Sequence, residues 1–529
     1  NIIVGLLIFR DYGTSWDEPL FYSYGEALGY AYSPAEWFSG NFDLYNSYGA
    51  SGDDHKNRGP AYLFLARNFV YGLERFGSDS APAWHLVNFL FFQLGIYFLY
   101  RISKRWMDEP AALFTAIFFS LQPLLWGHAF INPKDPPFLT FFLASVCYGF
   151  EMVDSITSGS KDKIKKILLA SFFLGIATSI RVLGPLAGLL VVLYSLGKHF
   201  NVGMQKGKIN LRISASQWFK TNGIPVLQYI ALTILVMFIT WPFLWENPLK
   251  NFVNVFLFMS DNPTQLSVLF GDDVYRAGGL PRRYLPFMLT TTLTEPAMPF
   301  FVIGVLTGYW KLIKNRSSGN EAFRDRFISL SLVLSWFAIL LAYVLIRRPA
   351  MYDGMRHFLF ILPPLFVFIG LAFQSIVDYI SSNLNYASNW LRAGLGFLLI
   401  LPGINGIIKL HPYQYAYYNS FIGGTSGAFR NYETDYWLTC YKEAVEELNV
   451  SRTQPINLYV KREAYIVEPF ADPNINVLDL RGAGNEVQSG DYVLVNTRTN
   501  EDLSTFAGQP VVIEIKRGDA IFCIIRQVE

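Results

Sequence analysis

Apolar runs close to the length of a bilayer crossing recur along most of this chain, and short charged loops separate them. A spanning helix needs about 20 mostly apolar residues. The candidate runs are 2–9, 84–100, 111–126, 138–152, 167–180, 182–196, 225–244, 284–313, 327–346, 358–377 and 391–408. They predict a polytopic α-helical membrane protein with about 11 transmembrane helices. Composition agrees where it matters. Only 16% of the 529 residues are charged and 52% are hydrophobic, against about 25% charged in a soluble chain. The 46 Phe and 31 Tyr suit lipid-facing helices and interfacial belts. A net charge of +2 gives no sign of a nucleic-acid partner. The sequence starts at Asn1 and its first run is short, so the natural chain is expected to begin upstream, with its first span truncated here.

After residue 410 the long runs stop. Residues 411–529 read as a small soluble α/β domain, with a helix at 435–448 and strands at 456–460, 475–480, 492–495, 511–515 and 521–525, each bounded by Gly, Asp, Asn or Pro. Cys440 and Cys523 lie in this domain and could pair in an oxidising compartment. Residues 1–410 form the membrane domain. Lys and Arg concentrate in alternate loops, 101–105, 161–166, 198–220 and 311–326, which should therefore be cytoplasmic. The remaining loops and the tail then face outward. Among them is 10–83, a long first loop with aromatic spacing suited to interfacial helices. The compact loops favour a prokaryotic plasma membrane.

The outward loops hold the unusual residues. Asp17-Glu18 follows the first run; such a pair can supply a general base, or Asp17 can simply cap a helix that starts at Pro19. Lys134 and Asp135 sit where the chain re-enters lipid, either as a snorkelling Lys and a cap or as functional charges. Arg181 falls at the tip of a tight turn. Its planar fork suits a phosphate, although a turn with a snorkelled Arg would look the same. Arg356-His357 opens an apolar run, and His55 and Lys56 complete the polar set. No phosphate-binding Gly loop, zinc helix or serine elbow is present.

At these residues the chain resembles the GT-C superfamily of membrane glycosyltransferases. It looks most like the branch containing protein O-mannosyltransferases and the aminoarabinose transferase of lipid A. The resemblance spans roughly 2–408. It rests on Ser15-Trp16-Asp17-Glu18, His55-Lys56 with Gly59-Pro60, Asn132-Pro133-Lys134-Asp135, Tyr284-Leu285-Pro286 and the run from Arg356-His357 to Pro363. It implies transfer of a sugar, a mannose-like hexose, from a polyprenyl- or dolichyl-phosphate carrier to a protein, lipid or glycan acceptor on the non-cytoplasmic face, with inversion. Asp17 would be the base, and Glu18 would position the acceptor or tune Asp17. Asp135 would shape the site or bind a metal, and Arg356 would meet the carrier phosphate. Arg181 and Lys134 join it on charge and placement. The resemblance requires no cofactor and leaves a divalent cation open. Inverting transfer needs one base and a leaving group that departs unaided, and a cation-neutralised lipid phosphate is such a group. The alternative is a transporter or flippase of a polar lipid, whose polar residues would gather near the bilayer midplane on broken helices.

Overall fold

The computed structural model describes residues 1–205, 208–213, 215–260, 265–314, 321–384, 388–452 and 454–529. Parts of the basic loops 198–220 and 311–326 lie outside the described residues. Every predicted apolar run carries helix. The first is α1 (Ile2–Ile8). The long first loop then folds into α2 (Glu18–Ala31) and α3 (Ala61–Arg75). The membrane bundle continues with α4 (Ser80–Ser103), α5 (Glu109–Ser120), α6 (Pro123–Ile131), α7 (Asp135–Thr157), α8 (Lys163–Ile180) and α9 (Pro185–Gly197). After α10 (Ala215–Thr240), α11 (Pro248–Ser260) and α12 (Tyr284–Thr291) come α13 (Ala297–Lys314), α14 (Glu321–Arg347), α15 (Leu362–Leu384) and α16 (Ser388–Leu410).

Among the described residues, six helices are long and apolar enough to cross a membrane, or seven if the bent pair α5–α6 is one span. Prolines explain two departures from the predicted runs. The run 111–126 is broken into α5 and α6, which meet at 64°. Pro123 cannot donate an N–H and holds Gln122 extended. The run 284–313 becomes α12 and α13, split at Pro296 for the same reason. Helices α7 and α15 are buried along most of their length, and α10 and α16 are largely exposed, as lipid-facing helices would be. Gly304 explains how closely α13 meets α15: a Cβ there would lie 1.8 Å from the Phe368 carbonyl.

The C-terminal strands fall almost where their sequence pattern puts them. They are β1 (Ile456–Val460), β2 (Ile475–Asp479), β3 (Tyr492–Asn496), β4 (Val511–Arg517) and β5 (Ala520–Gln527), in the order β2-β1-β3-β5-β4. The pairs β1–β2 and β1–β3 are parallel, and the rest are antiparallel. The helix α17 (Tyr441–Ser451) starts later than predicted. Residues 435–440 form a turn instead, because the Asp435 carboxylate accepts the backbone N–H groups of Trp437, Thr439 and Cys440. A Cys440–Cys523 disulfide ties the start of α17 to β5.

Candidate active site

One end of the helix bundle meets the C-terminal domain around a buried cluster of charges. Asp17 occupies the N-cap position of α2, yet its side chain caps nothing. Its Oδ2 instead accepts a hydrogen bond from Arg356 Nη1 at 2.9 Å. The simple cap reading therefore does not describe this residue. The Asp17 side chain keeps 30% exposure while Arg356 has 6%. Burial raises the Asp17 carboxyl, but Arg356, Arg58 and Lys134 together outweigh it and hold the group below its usual range.

Glu18 points the other way. It is fully buried, accepts from the Tyr22 hydroxyl at 2.5 Å and pairs with His85 Nε2 at 2.8 Å. The Ser15 backbone N–H also donates to it. The pair Asp17-Glu18 is thus split between an accessible carboxylate and a buried one that braces the loop. His85 was not among the sequence candidates, because a histidine inside an apolar run carries no pattern that marks it.

Asp135 does not cap α7 as expected. Asn132 Oδ1 takes the backbone N–H groups of Lys134 and Asp135 at 3.1 and 2.9 Å, an Asx turn. The Asp135 carboxylate is left to bind Arg181 and the Asn132 amide, with Arg356 Nη1 at 3.9 Å. Arg181 follows the end of α8 and turns inward over Phe138. Burial and the neighbouring Arg356 and Arg58 charges pull it down to about 9. Lys134 is buried, lies 5.6 Å from the Phe21 ring and forms no ion pair among the described residues. Burial and then Arg58, Arg181 and Arg356 lower its ammonium well below its ordinary value. Such a cation is relieved by an incoming anion.

The remaining candidates separate. His55 is buried against Phe21 and Tyr24, and burial lowers it to about 4. Lys56 pairs with Asp53 at the surface, 3.0 Å away. The nearby cation facing Asp17 is Arg58, which sequence reading passed over. Tyr284 is buried and donates to the Gly354 carbonyl at 3.2 Å, so it supports the turn before Arg356. His357 stands edge-on to Tyr352. That turn includes Asp353 and Gly354, both at positive φ. Asp353 is shared: its Oδ2 lies 3.0 Å from Arg356 Nη2 and its Oδ1 accepts from Arg498 at 2.7 Å.

The divalent cation left open by the sequence finds no ready donor set. Among the described residues no group of three or more His, Cys, Asp or Glu is placed to hold a metal. Asp17, Asp135 and Asp353 are each engaged by arginine.

Residues 59–241 match the family model for dolichyl-phosphate-mannose-protein mannosyltransferase. The glycosyltransferase resemblance read from the motifs is thereby found independently over that stretch. A search of curated proteins gives no match. Among solved structures, the chain is similar to the archaeal oligosaccharyltransferase AglB from Archaeoglobus fulgidus, in complex with an inhibitory peptide and a dolichol-phosphate. The identity is 10% and the TM-score 0.49, over 95% of this chain and 69% of that one. It is also similar to the arabinofuranosyltransferase AftD from Mycobacteria, at 13% identity and a TM-score of 0.43, over 99% of this chain and 41% of that one. Likenesses this distant carry no weight for the chemistry.

Proposed function

We propose that this protein is a membrane glycosyltransferase that moves a mannose-like hexose from a polyprenyl- or dolichyl-phosphate carrier to an acceptor hydroxyl outside the cytoplasm, with inversion. Residues 1–410 would be the transferase domain, and 411–529 a soluble domain on the same side. The observation that carries the reading is Asp17, a partly exposed carboxylate kept ionised among cations, one of which, Lys134, has no ion-pair partner among the described residues. Asp17 Oδ1 accepts no hydrogen bond among the described residues and is free to take a proton. The acceptor oxygen loses its proton to Asp17 and attacks the anomeric carbon. The bond from that carbon to the phosphate oxygen breaks, and the electron pair leaves with the lipid phosphate. Arg356, Arg181 and Lys134 offset the charge that develops there. Glu18 holds the loop that presents Asp17. The acceptor is a protein, lipid or glycan.

The test is sugar transfer in proteoliposomes from radiolabelled polyprenyl-phosphate mannose, comparing the parent with Asp17→Asn. The parent should transfer sugar, and the variant should lose transfer while still binding the carrier. Equal rates would remove Asp17 as the base. A parent that moves the lipid between leaflets and transfers nothing would make the protein a flippase.

A further inference from the structure

The candidate site is completed from outside the membrane domain. Arg498 lies in the loop after β3. Its backbone N–H is fixed by the Asn496 side chain at 2.6 Å, and its own side chain is 1% exposed. From there it reaches the turn before α15. It donates to Asp353 at 2.7 Å and to the Tyr436 carbonyl at 2.6 Å, and it stacks 4.7 Å from the Trp16 ring, next to Asp17. Trp437 Nε1 donates to the other Asp353 oxygen at 3.1 Å. Asp353 therefore has its position set from the C-terminal side, and it in turn grips Arg356 Nη2 at 3.0 Å. A second strut, the Tyr465 hydroxyl, donates to the Trp16 carbonyl at 2.7 Å.

We propose that Arg498 is a positioning residue for sugar transfer: by anchoring Asp353 it holds the Arg356 guanidinium between Asp353 and Asp17, so the C-terminal domain sets the carrier-phosphate end of the site. The inference rests on the transferase reading above. Without Arg498, Asp353 keeps one arginine instead of two and draws Arg356 toward itself and away from Asp17. The remaining groups facing Asp17 are Arg58, Lys134, Arg181, His55 and Tyr465. None of them replaces the hydrogen bond from Arg356.

The experiment measures steady-state transfer from polyprenyl-phosphate mannose by the full chain in proteoliposomes, across pH, with the acceptor that the parent uses. The variants are Arg498→Gln and the double Arg498→Gln/Asp353→Asn. For Arg498→Gln, kcat/KM for the donor should fall about tenfold, the size of effect expected from losing an outer-sphere support. The KM for the acceptor should hold, and the acid limb of the pH profile should move upward. The double variant removes Arg498 and the Asp353 carboxylate together, so Asp353 is not left as an unmatched buried charge. Glu433, 3.5 Å from Arg498, can take up a proton in its absence. The double variant should fold, yet keep the donor defect because Arg356 has lost its anchor. If Arg498→Gln alone does not fold, the double variant decides. The proposal is overturned by parent-like donor kinetics and pH profile in the folded variant, or by equal losses toward donor and acceptor with an unmoved acid limb. Recovery of parent behaviour in the double variant overturns it too. A parent without any transfer removes both readings. An active parent that Asp17→Asn silences and Arg498→Gln leaves intact removes this one alone.

Discussion

Two charge clusters sit at opposite ends of the helices α7 and α8, and they are built from the same residue types. At the end away from the C-terminal domain, Arg101 and Lys166 share Glu151, Arg105 and Lys198 share Asp154, and Lys198 also reaches Asp325. Each of these cations touches a carboxylate, and the carboxylates keep 22–35% exposure. At the other end, Asp135 and Arg356 are nearly inaccessible, Lys134 forms no ion pair among the described residues, and Asp17 stays more open than the Asp135 and Asp353 carboxylates beside it. A closed, half-solvated network holds helices together and asks for nothing more. A buried cluster with one unmatched cation is costly unless it is used. Pairing and burial, rather than the count of charges, distinguish a structural network from a candidate site.

Substitutions at the two ends should therefore differ in kind. The largest effect belongs to Asp17→Asn, with a loss of transfer of about 10²–10⁴-fold, the range for removing a general base. Arg356→Gln comes next. It should reduce kcat/KM for the donor by about 10–100-fold, as expected for a lost charge-assisted hydrogen bond to a phosphate. It should also change the pH profile in a definite direction. Asp17 must be ionised to act, and Arg356 helps to keep its carboxyl low. The parent should therefore stay active to pH values below the usual carboxylate range, and the variant's acid limb should move up. A limb that stays in place would mean that Asp17 is not the group being titrated.

A smaller effect should be seen in stability. Glu433 is buried, and its nearest cation is Arg498, whose Nη2 lies 3.5 Å from Glu433 Oε1. Burial pushes it up to about 8, against the pull of Arg498. The folded protein thus binds this proton more tightly than the unfolded chain does. The stability this confers is complete below the ordinary carboxylate range and is lost as pH rises through about 8. Glu433→Gln should raise the melting temperature more at pH 9 than at pH 5. An equal shift at both pH values would show that Glu433 is ionised throughout.

The membrane helices were legible because a bilayer dictates their length and composition, and the five strands because turn residues bound each of them. The split at Pro296 was visible as a proline but was outweighed by the apolar run around it. At the site, Asp17, Lys134, Asp135, Arg181 and Arg356 could be picked out because charge beside an apolar run is rare. Asp353 was hidden within Asp-Gly, which reads only as a turn. Arg498 was hidden among ordinary polar residues of a soluble domain, because its partner lies 145 positions earlier in the chain. Long-range pairings of that kind leave no local pattern. Lys56 shows the opposite error: it stood beside a buried histidine in sequence, but its side chain turns to the surface and pairs with Asp53.

The smallest predicted effect is the one that most sharpens the comparison between the two ends. Glu151→Gln removes the carboxylate shared by Arg101 and Lys166. Partly exposed pairs of this sort contribute about 0–1 kcal/mol each. The Gln amide can still accept from Arg101, and both cations retain access to solvent. Transfer should stay within about twofold of the parent, and the melting temperature should fall by only a few degrees, about 2–4 °C per kcal/mol lost for mid-sized chains. Thermal unfolding read alongside the transfer assay checks both halves. A large fall in transfer with an unchanged melting temperature would break the comparison, since the far end would then act on the chemistry through α7 and could not be a purely structural clasp.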